Sequence, residues 1–260
     1  MLVAVNQWLE DALKGMPLTE DVEGYLLGRG AKEATIREEG IVTWVPTDHD
    51  IPDKHFTDIY GMRGENLAGY LVCPVRSPKG ALIGFEGRNI HKKNIQDFRF
   101  VESKWTPFFL GTRSAMPKIW AGGNVWICEG LFDKTALEWA VPEKDAVLAT
   151  VRAKLSDLHV EFLRRFCKGT VYMVYDQDPT GINAVGRAPI KDLATGKNLS
   201  VGWKDPESGK TRYGAMAVLN RVGLPCRYVK FRGGKDPGVI WDNGGAKAIK
   251  AAIEEAVLVF

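Results

Sequence analysis

Carboxylates follow three apolar runs of this chain, each at the point where a predicted strand ends. Glu129 comes directly after residues 125–128, Asp176 and Asp178 follow residues 170–175, and Asp236 comes soon after residues 226–231. Short apolar runs that are bounded by turn residues predict buried strands leading into helices. Because open α/β sheets bind ligands beyond the carboxyl ends of their strands, we expect these acids to lie at one rim.

The types of these residues indicate a hard cation. Asp176 and Asp178 are two positions apart, so their side chains point to the same side of an extended segment. Oxygen ligands without His or Cys favour Mg²⁺ or Mn²⁺ over Zn²⁺. A single Asp after a strand is also typical of a turn or a helix cap, and that alternative applies to each site taken alone.

Composition bounds the class of protein. The chain has 260 residues, of which 45% are apolar and 26% charged, as is usual for globular proteins with one large or two small domains. It has no apolar run long enough for a membrane span and no signal-peptide pattern, so we expect a cytoplasmic protein. Four widely spaced cysteines predict neither a zinc module nor a disulfide framework. A net charge of +3 alone does not indicate nucleic-acid binding.

Periodicity and turn residues predict the order of the elements. Helices are expected over 5–14, 19–27 and 32–39, and a strand over 41–45. Two further strands, 69–75 and 80–88, are joined by the turn sequence Ser77-Pro-Lys-Gly80. Downstream we expect an inserted β-hairpin within 185–213 and a helix over 216–222. A closing helix should begin at about Asn243 and carry apolar residues at helical spacing, namely Ile249, Ile253 and Val257.

Several of these motifs resemble a known fold and family. Glu129-Gly-Leu-Phe-Asp133, Asp176-Gln-Asp-Pro-Thr-Gly181 and Lys235-Asp-Pro237 resemble the motifs of the TOPRIM fold, which primases, topoisomerases and some nucleases share. The upstream half is similar to the RNA-polymerase domain of DnaG-type bacterial primases. That likeness lies in Tyr25–Gly30, in the hairpin from Pro74 to Arg88, in Arg99–Ser103 and in residues 149–163. It runs from about residue 20 to 240, with Arg99 in place of a family lysine and Ala149-Thr-Val-Arg152 lacking a family glycine.

The resemblance implies an α/β fold with three parts. These are an N-terminal α+β primase subdomain over residues 1–122, a Rossmann-like TOPRIM subdomain with a mainly parallel sheet over 123–241, and a C-terminal helix over 242–260. It implies a DNA-directed RNA polymerase that makes short RNA primers on single-stranded DNA. Asp176 and Asp178 would be primary metal ligands, and Asp236 a further one. Glu129 would be either a ligand or a group that handles protons.

The resemblance also implies binding residues and partners. Template and nucleotide phosphates would be held by basic residues, namely Arg76, Arg88, Arg99, Lys104 and Lys235, although Lys235 could equally pair with the carboxylates. Besides single-stranded DNA and ribonucleoside triphosphates, we expect a replicative helicase or a separate zinc-binding initiation factor as partner. A compact core of this kind suits a phage, a plasmid or a divergent primase. The alternatives are a TOPRIM nuclease or topoisomerase, and a non-catalytic single-strand-binding module.

Overall fold

A computed structural model describes most of the chain, and its contacts divide the chain into two compact units. The described residues are 10–45, 67–91, 98–101, 109–150, 155–185, 190–191, 198–199, 202–204, 211–231 and 234–259. The first unit comprises Met1–Gly28 and Lys32–Thr106, and the second comprises Arg29–Ala31 and Pro107–Phe260.

The first unit is built on an antiparallel sheet with the order β1-β2-β3-β4. Its elements are α1 (Glu20–Gly28), α2 (Glu33–Glu39), β1 (Val42–Thr43), β2 (Leu71–Arg76), β3 (Leu82–Arg88) and β4 (Phe98–Val101), and residues 10–15 are also helical. Gly40 ends α2 with a φ of 69°, a left-handed conformation that favours glycine. The predicted β2–β3 hairpin is confirmed, with Gly80 closing its turn onto Ser77 O at 2.9 Å.

The core of the first unit forms on one side of this sheet. Trp44 is fully buried and stacks on Phe85 with ring centroids 5.6 Å apart, because the pleat sends both residues to the same face. Leu67 and Tyr70 complete the cluster just before β2 begins. Burial of this much aromatic and aliphatic surface is what holds β2 and β3 in register.

The second unit is an α/β layer structure around a five-stranded sheet of order β13-β12-β7-β5-β6. Its helices are α3 (Thr112–Trp120), α4 (Leu131–Leu137), α5 (Asp157–Phe166), α6 (Pro179–Val185), α7 (Ala215–Arg221) and α8 (Pro237–Glu254). Its main strands are β5 (Val125–Cys128), β6 (Ala146–Ala149), β7 (Val171–Val174), β12 (Cys226–Lys230) and β13 (Val257–Val259). Strands β12, β7, β5 and β6 are parallel, so the predicted Rossmann-like sheet is confirmed.

Apolar residues alternate onto one face of this sheet and form the main core. Val125, Ile127, Met173 and Tyr228 all belong to it, and each stands opposite its neighbour across the strands. Ser156 starts α5 with a reciprocal capping box, in which its hydroxyl accepts from His159 N–H and its own N–H donates to His159 Nδ1. The four cysteines are all buried, and none of them forms a disulfide.

Two segments differ from the sequence-based expectations. The described residues of 185–213 form two short antiparallel ladders where one hairpin was expected: β8 (Ile190–Lys191) with β9 (Asn198–Leu199), and β10 (Gly202–Lys204) with β11 (Thr211–Tyr213). The closing helix begins at Pro237, and the prediction that residues 242–260 are helical is wrong at its end. There β13 pairs antiparallel with β12, because this edge strand offers Val257–Val259 a ladder that helical spacing alone does not reveal.

Candidate active site

The sheet of the second unit brings three of the acid-bearing turns side by side. From β5 the chain crosses to β6 on one side and then to β7 on the other, so the direction of winding reverses between β5 and β7. Such a switch point opens a crevice at the carboxyl ends of the strands. Glu129 follows β5 and Asp176 follows β7, so the two acids flank the switch point, and the loop after β12 lies next to it.

Glu129 and the aspartate loop are in direct contact. The Asp176 N–H donates to Glu129 Oε1 at 3.2 Å. Gly181 allows this approach, because a Cβ at that position would stand 2.1 Å from Asp176 O and 2.9 Å from Glu129 Oε1. Asp178 Oδ1 accepts from the N–H groups of Thr180 and Gly181, each at 2.9 Å, and so caps the start of α6.

Lys235 bridges the two aspartates of the D-x-D sequence. Its Nζ lies 2.9 Å from Asp176 Oδ2 and 3.1 Å from Asp178 Oδ2. These hydrogen bonds, that to Asp176 first, raise the pKa of Lys235 above its ordinary value, so the ammonium is charged at neutral pH. A single positive charge therefore stands between the two carboxylates that the sequence predicts as primary metal ligands.

The carboxyl groups of the cluster differ in their proton affinity. Burial, followed by the charge of Asp176, raises the pKa of Glu129 to about 7. Burial also raises the pKa of Asp176, although the hydrogen bond from Lys235 opposes this. The Gly181 N–H lowers the pKa of Asp178 instead. Of these three groups, Glu129 is therefore the one with a pKa near neutral pH, while Asp178 stays ionised.

Asp236 and Asp133 meet at the start of α8. Asp236 is the N-cap of this helix, and its Oδ1 accepts from Val239 N–H at 2.7 Å. Asp133 Oδ1 accepts from Gly238 N–H at 3.0 Å, and burial, then the charge of Asp236, raises the pKa of Asp133 to about 7. Asp133 was not among the predicted site residues, although the E-G-x-x-D spacing was a signal that could have included it.

Gln177 is a second residue that the sequence reasoning missed. It stands between Asp176 and Asp178, and its Nε2 donates to Phe231 O at 3.2 Å and to Gly234 O at 3.3 Å. These bonds fasten the loop that carries Lys235 and Asp236 to the loop that carries the two aspartates. Nothing in the sequence distinguishes this glutamine from a solvated turn residue.

The donor set of the cluster suits a hard divalent ion. Within the described ranges, no three His, Cys, Asp or Glu side chains are close enough to hold a metal ion as they stand. The physical reason is visible: Lys235 occupies the space between Asp176 and Asp178, and an oxygen of Asp236 is engaged by Val239 N–H. The cluster nevertheless offers carboxylate oxygens, which already surround the ammonium group of Lys235. Mg²⁺ and Mn²⁺ prefer ligands of this kind. The metal ligands remain a prediction.

The predicted basic residues of the first unit have varied surroundings. Arg76 forms a two-pronged ion pair with Glu10, with Nη1–Oε2 at 2.8 Å and Nη2–Oε1 at 3.0 Å, which accounts for its burial. Arg88 ends β3 and is partly exposed. Arg99 lies in β4 opposite Glu86, but its side chain is outside the described part of the structure, as is the whole of Lys104.

Comparisons with known proteins agree with this fold. Residues 126–203 match the family model described as Toprim-like. A DNA primase of Staphylococcus aureus is 25% identical over 237 residues, which covers 79% of this chain and 38% of that protein. The zinc-binding and RNA polymerase domains of the Aquifex aeolicus primase superpose with a TM-score of 0.62 at 18% identity, covering 99% of this chain and 60% of that structure. A DnaG primase catalytic domain bound to single-stranded DNA gives 0.61 at 17% identity, covering 99% and 78%.

The resemblance seen in the sequence is therefore confirmed. The chain carries a Toprim-like region, has DNA primases as homologues and has the fold of DnaG catalytic cores. The Toprim-like match is consistent with the use of a divalent metal and specifies no particular ion. The chain spans 38% of the length of the Staphylococcus aureus relative. In the part of the chain that is described, no helix is both long and apolar enough to cross a membrane.

Proposed function

We propose that this chain is the catalytic core of a DnaG-type DNA primase, which makes short RNA primers on single-stranded DNA by metal-dependent nucleotidyl transfer. One observation carries the proposal. Glu129, Asp176 and Asp178 converge beside Lys235 at the switch point of a sheet whose fold is that of DnaG catalytic cores. The homologous DNA primases and the DnaG domain bound to single-stranded DNA support the same reaction and template.

Asp176 and Asp178 are the residues that would hold Mg²⁺ or Mn²⁺, with Asp236 as a further ligand. When bound, divalent ions orient the triphosphate and stabilise the negative charge that develops on the leaving pyrophosphate. Asp178 suits this role because its pKa is lowered, so its oxygens are available as ligands at neutral pH.

Glu129 and Lys235 have complementary roles in this proposal. Glu129, with a pKa of about 7, takes up the proton of the attacking 3′-hydroxyl. Lys235 is half-exposed and charged. If a divalent ion were bound to Asp176 and Asp178, the Lys235 ammonium would be available to bind a nucleotide phosphate. A divalent ion held by Asp176 and Asp178 would supply the positive charge that Lys235 supplies in its absence.

The substrates and partners follow from the same proposal. Arg88, Arg99 and Lys104 contact template or nucleotide phosphates, and Arg76 joins them only where its pair with Glu10 opens. The substrates are ribonucleoside triphosphates and a single-stranded DNA template. A replicative helicase, or a separate zinc-binding factor that selects the start site, is the proposed partner.

A primer-synthesis assay tests the proposal. The chain is incubated with single-stranded DNA, labelled ribonucleotides and Mg²⁺ or Mn²⁺, and compared with Asp176→Asn and Asp178→Asn. We expect both substitutions to reduce labelled primers at least about 100-fold, because each removes a charge that the metal site needs. The matched control is Asp11→Asn, since Asp11 is an exposed acid of the first unit, outside the carboxylate cluster.

The same assay separates the alternatives. Shortening of the DNA without ribonucleotide incorporation would identify a nuclease, and binding of DNA without either product would identify a single-strand-binding module. Equal label with both aspartate variants would remove the catalytic assignment of the cluster.

A further inference from the structure

The hydroxyl group of Tyr228 is a buried donor for which the fold supplies no partner. Tyr228 lies in β12 and is 1% exposed, and its hydroxyl makes no hydrogen bond to any residue that the structure describes. Tyr175 is equally buried, but its hydroxyl donates to Thr150 Oγ1 at 3.1 Å. Two tyrosines of one core thus differ in a single respect, which is that only Tyr175 is satisfied within the protein.

Packing alone does not explain a hydroxyl at this position. The Tyr228 ring belongs to the main core of the second unit and stands opposite Met173 of β7, among apolar neighbours. A phenylalanine would fill the same space without the cost of a desolvated, unpaired hydroxyl group. Filling the core therefore does not explain why residue 228 carries a hydroxyl group.

The charges that act on Tyr228 are those of the acid cluster. Met173, its neighbour across the strands, precedes Asp176 by three residues on β7. Burial, and then the charges of Asp176, Glu129 and Asp178, raise the pKa of Tyr228 to about 12. The phenol consequently keeps its proton at neutral pH and can only be a donor towards these acceptors.

We propose that Tyr228 is a positioning residue of the candidate active site, and that its hydroxyl donates through one water to the cluster formed by Glu129, Asp176 and Asp178. The proposal rests on the proposed function in so far as that cluster binds divalent ions. Donors behind carboxylate ligands orient them and tune their affinity for a metal, and their loss typically weakens metal binding about 10- to 100-fold. Tyr228 would act through the acids without touching the substrate.

Metal affinity and stability of the full chain, measured on Tyr228→Phe, test this role. We expect the Mn²⁺ dissociation constant, obtained by calorimetry, to rise about tenfold. In EDTA the same variant should unfold at a temperature equal to or higher than that of the unsubstituted protein, because an unpaired buried hydroxyl has been removed. A purely structural tyrosine would change neither quantity in this opposed way.

The control is Tyr172→Phe, which removes the same oxygen from β7 on the other face of the sheet, where Tyr172 stacks on Trp126 at 4.2 Å. It should leave Mn²⁺ affinity unchanged. Equal Mn²⁺ affinity of Tyr228→Phe and the unsubstituted protein would overturn the role of Tyr228, whether or not primers are made. If the unsubstituted protein binds Mn²⁺ but makes no primers, the proposed function fails, and the two affinities still decide the role of Tyr228. Absence of Mn²⁺ binding by the unsubstituted protein would overturn both.

Discussion

The backbone N–H of Gln177 donates to Lys235 O at 2.8 Å, so the residue between the two aspartates is tied to the residue that bridges them. The Gln177 side chain adds two further bonds to the same loop, at Phe231 O and Gly234 O. The three hydrogen bonds of Gln177 therefore fix the distance between the D-x-D acids and Lys235, which lie on two different loops. The carboxylates and their counter-ion consequently move together.

Replacing Gln177 should loosen this link. Gln177→Met keeps the length of the side chain but loses both donors, so we expect about 1–2 kcal/mol less stability in urea unfolding and a several-fold rise in the KM for ribonucleotides. Gln177→Glu should be worse than Gln177→Met, because it adds a negative charge between Asp176 and Asp178. Stability and KM of Gln177→Met equal to those of the unsubstituted protein would contradict the role of these bonds.

Lys235→Met should have opposite effects on the aspartate pair without a metal ion and with Mn²⁺ bound. Without its ammonium, Asp176 and Asp178 lose their counter-ion, and we expect a loss of up to about 1 kcal/mol of stability in EDTA, since Lys235 is half-exposed. Mn²⁺ should bind several-fold more tightly, because no internal cation competes for the site. Lys250→Met, an exposed position on α8, is the control, and weaker Mn²⁺ binding by Lys235→Met would count against competition.

The stability of the metal-free protein should fall as the pH rises. The pKa values of Glu129 and Asp133 are about 7 in the folded protein, above their ordinary values of 4.5 and 3.8, so the folded state binds more protons than the unfolded state between about pH 4 and 7. Their stabilising contribution is complete below about pH 4 and is lost as the pH passes through 7. We expect unfolding in EDTA to be easier at pH 8 than at pH 5.

Asp133→Asn tests the source of this pH dependence. The amide oxygen can still accept from Gly238 N–H, while the buried charge disappears. We expect the variant to be about 1–3 kcal/mol more stable than the unsubstituted protein at pH 8, with a much smaller difference at pH 5. An unchanged pH profile would show that Asp133 titrates normally.

Gly181→Ala should disturb the acid loops by steric overlap. The added methyl group would meet the backbone oxygen of Asp176 at 2.1 Å, which distorts the turn from Asp176 to Gly181, and would lie 2.9 Å from Glu129 Oε1 on the neighbouring loop. We expect about 1–3 kcal/mol of destabilisation and loss of primer synthesis. Gly24→Ala is the matched control, because Gly24 is an exposed position of α1 with nothing within 4 Å of a new Cβ, and the change should stabilise by about 0.5–1 kcal/mol.

Local patterns predicted the elements that position the site. Apolar runs gave β5, β7 and β12, and the acids that follow the first two do lie together, because parallel strands end at one edge. The helical spacing of Ile249, Ile253 and Val257 did not reveal β13, since its ladder with β12 is a tertiary contact. The partner of Arg76 was equally hidden, because Glu10 is 66 residues away in sequence.

Burial was the other property that the sequence could not supply. The proton affinities of Glu129 and Asp133 depend on how deeply the packed loops bury each carboxyl group. The orphaned hydroxyl of Tyr228 likewise depends on which side chains surround it. Such features arise from the fold as a whole and have no local signature.

Both borders of the four parallel strands of the second unit receive backbone hydrogen bonds from other segments of that unit. β13 runs antiparallel along β12, and Leu110 exchanges two backbone hydrogen bonds with Ala149 on β6, at 2.8 and 3.1 Å. An uncovered border of a parallel sheet is a template on which a second molecule can extend the ladder and start a fibril. Along the described part of these edges, β13 is three residues long and the Leu110 bridge is isolated, so each offers another chain only a short ladder to extend.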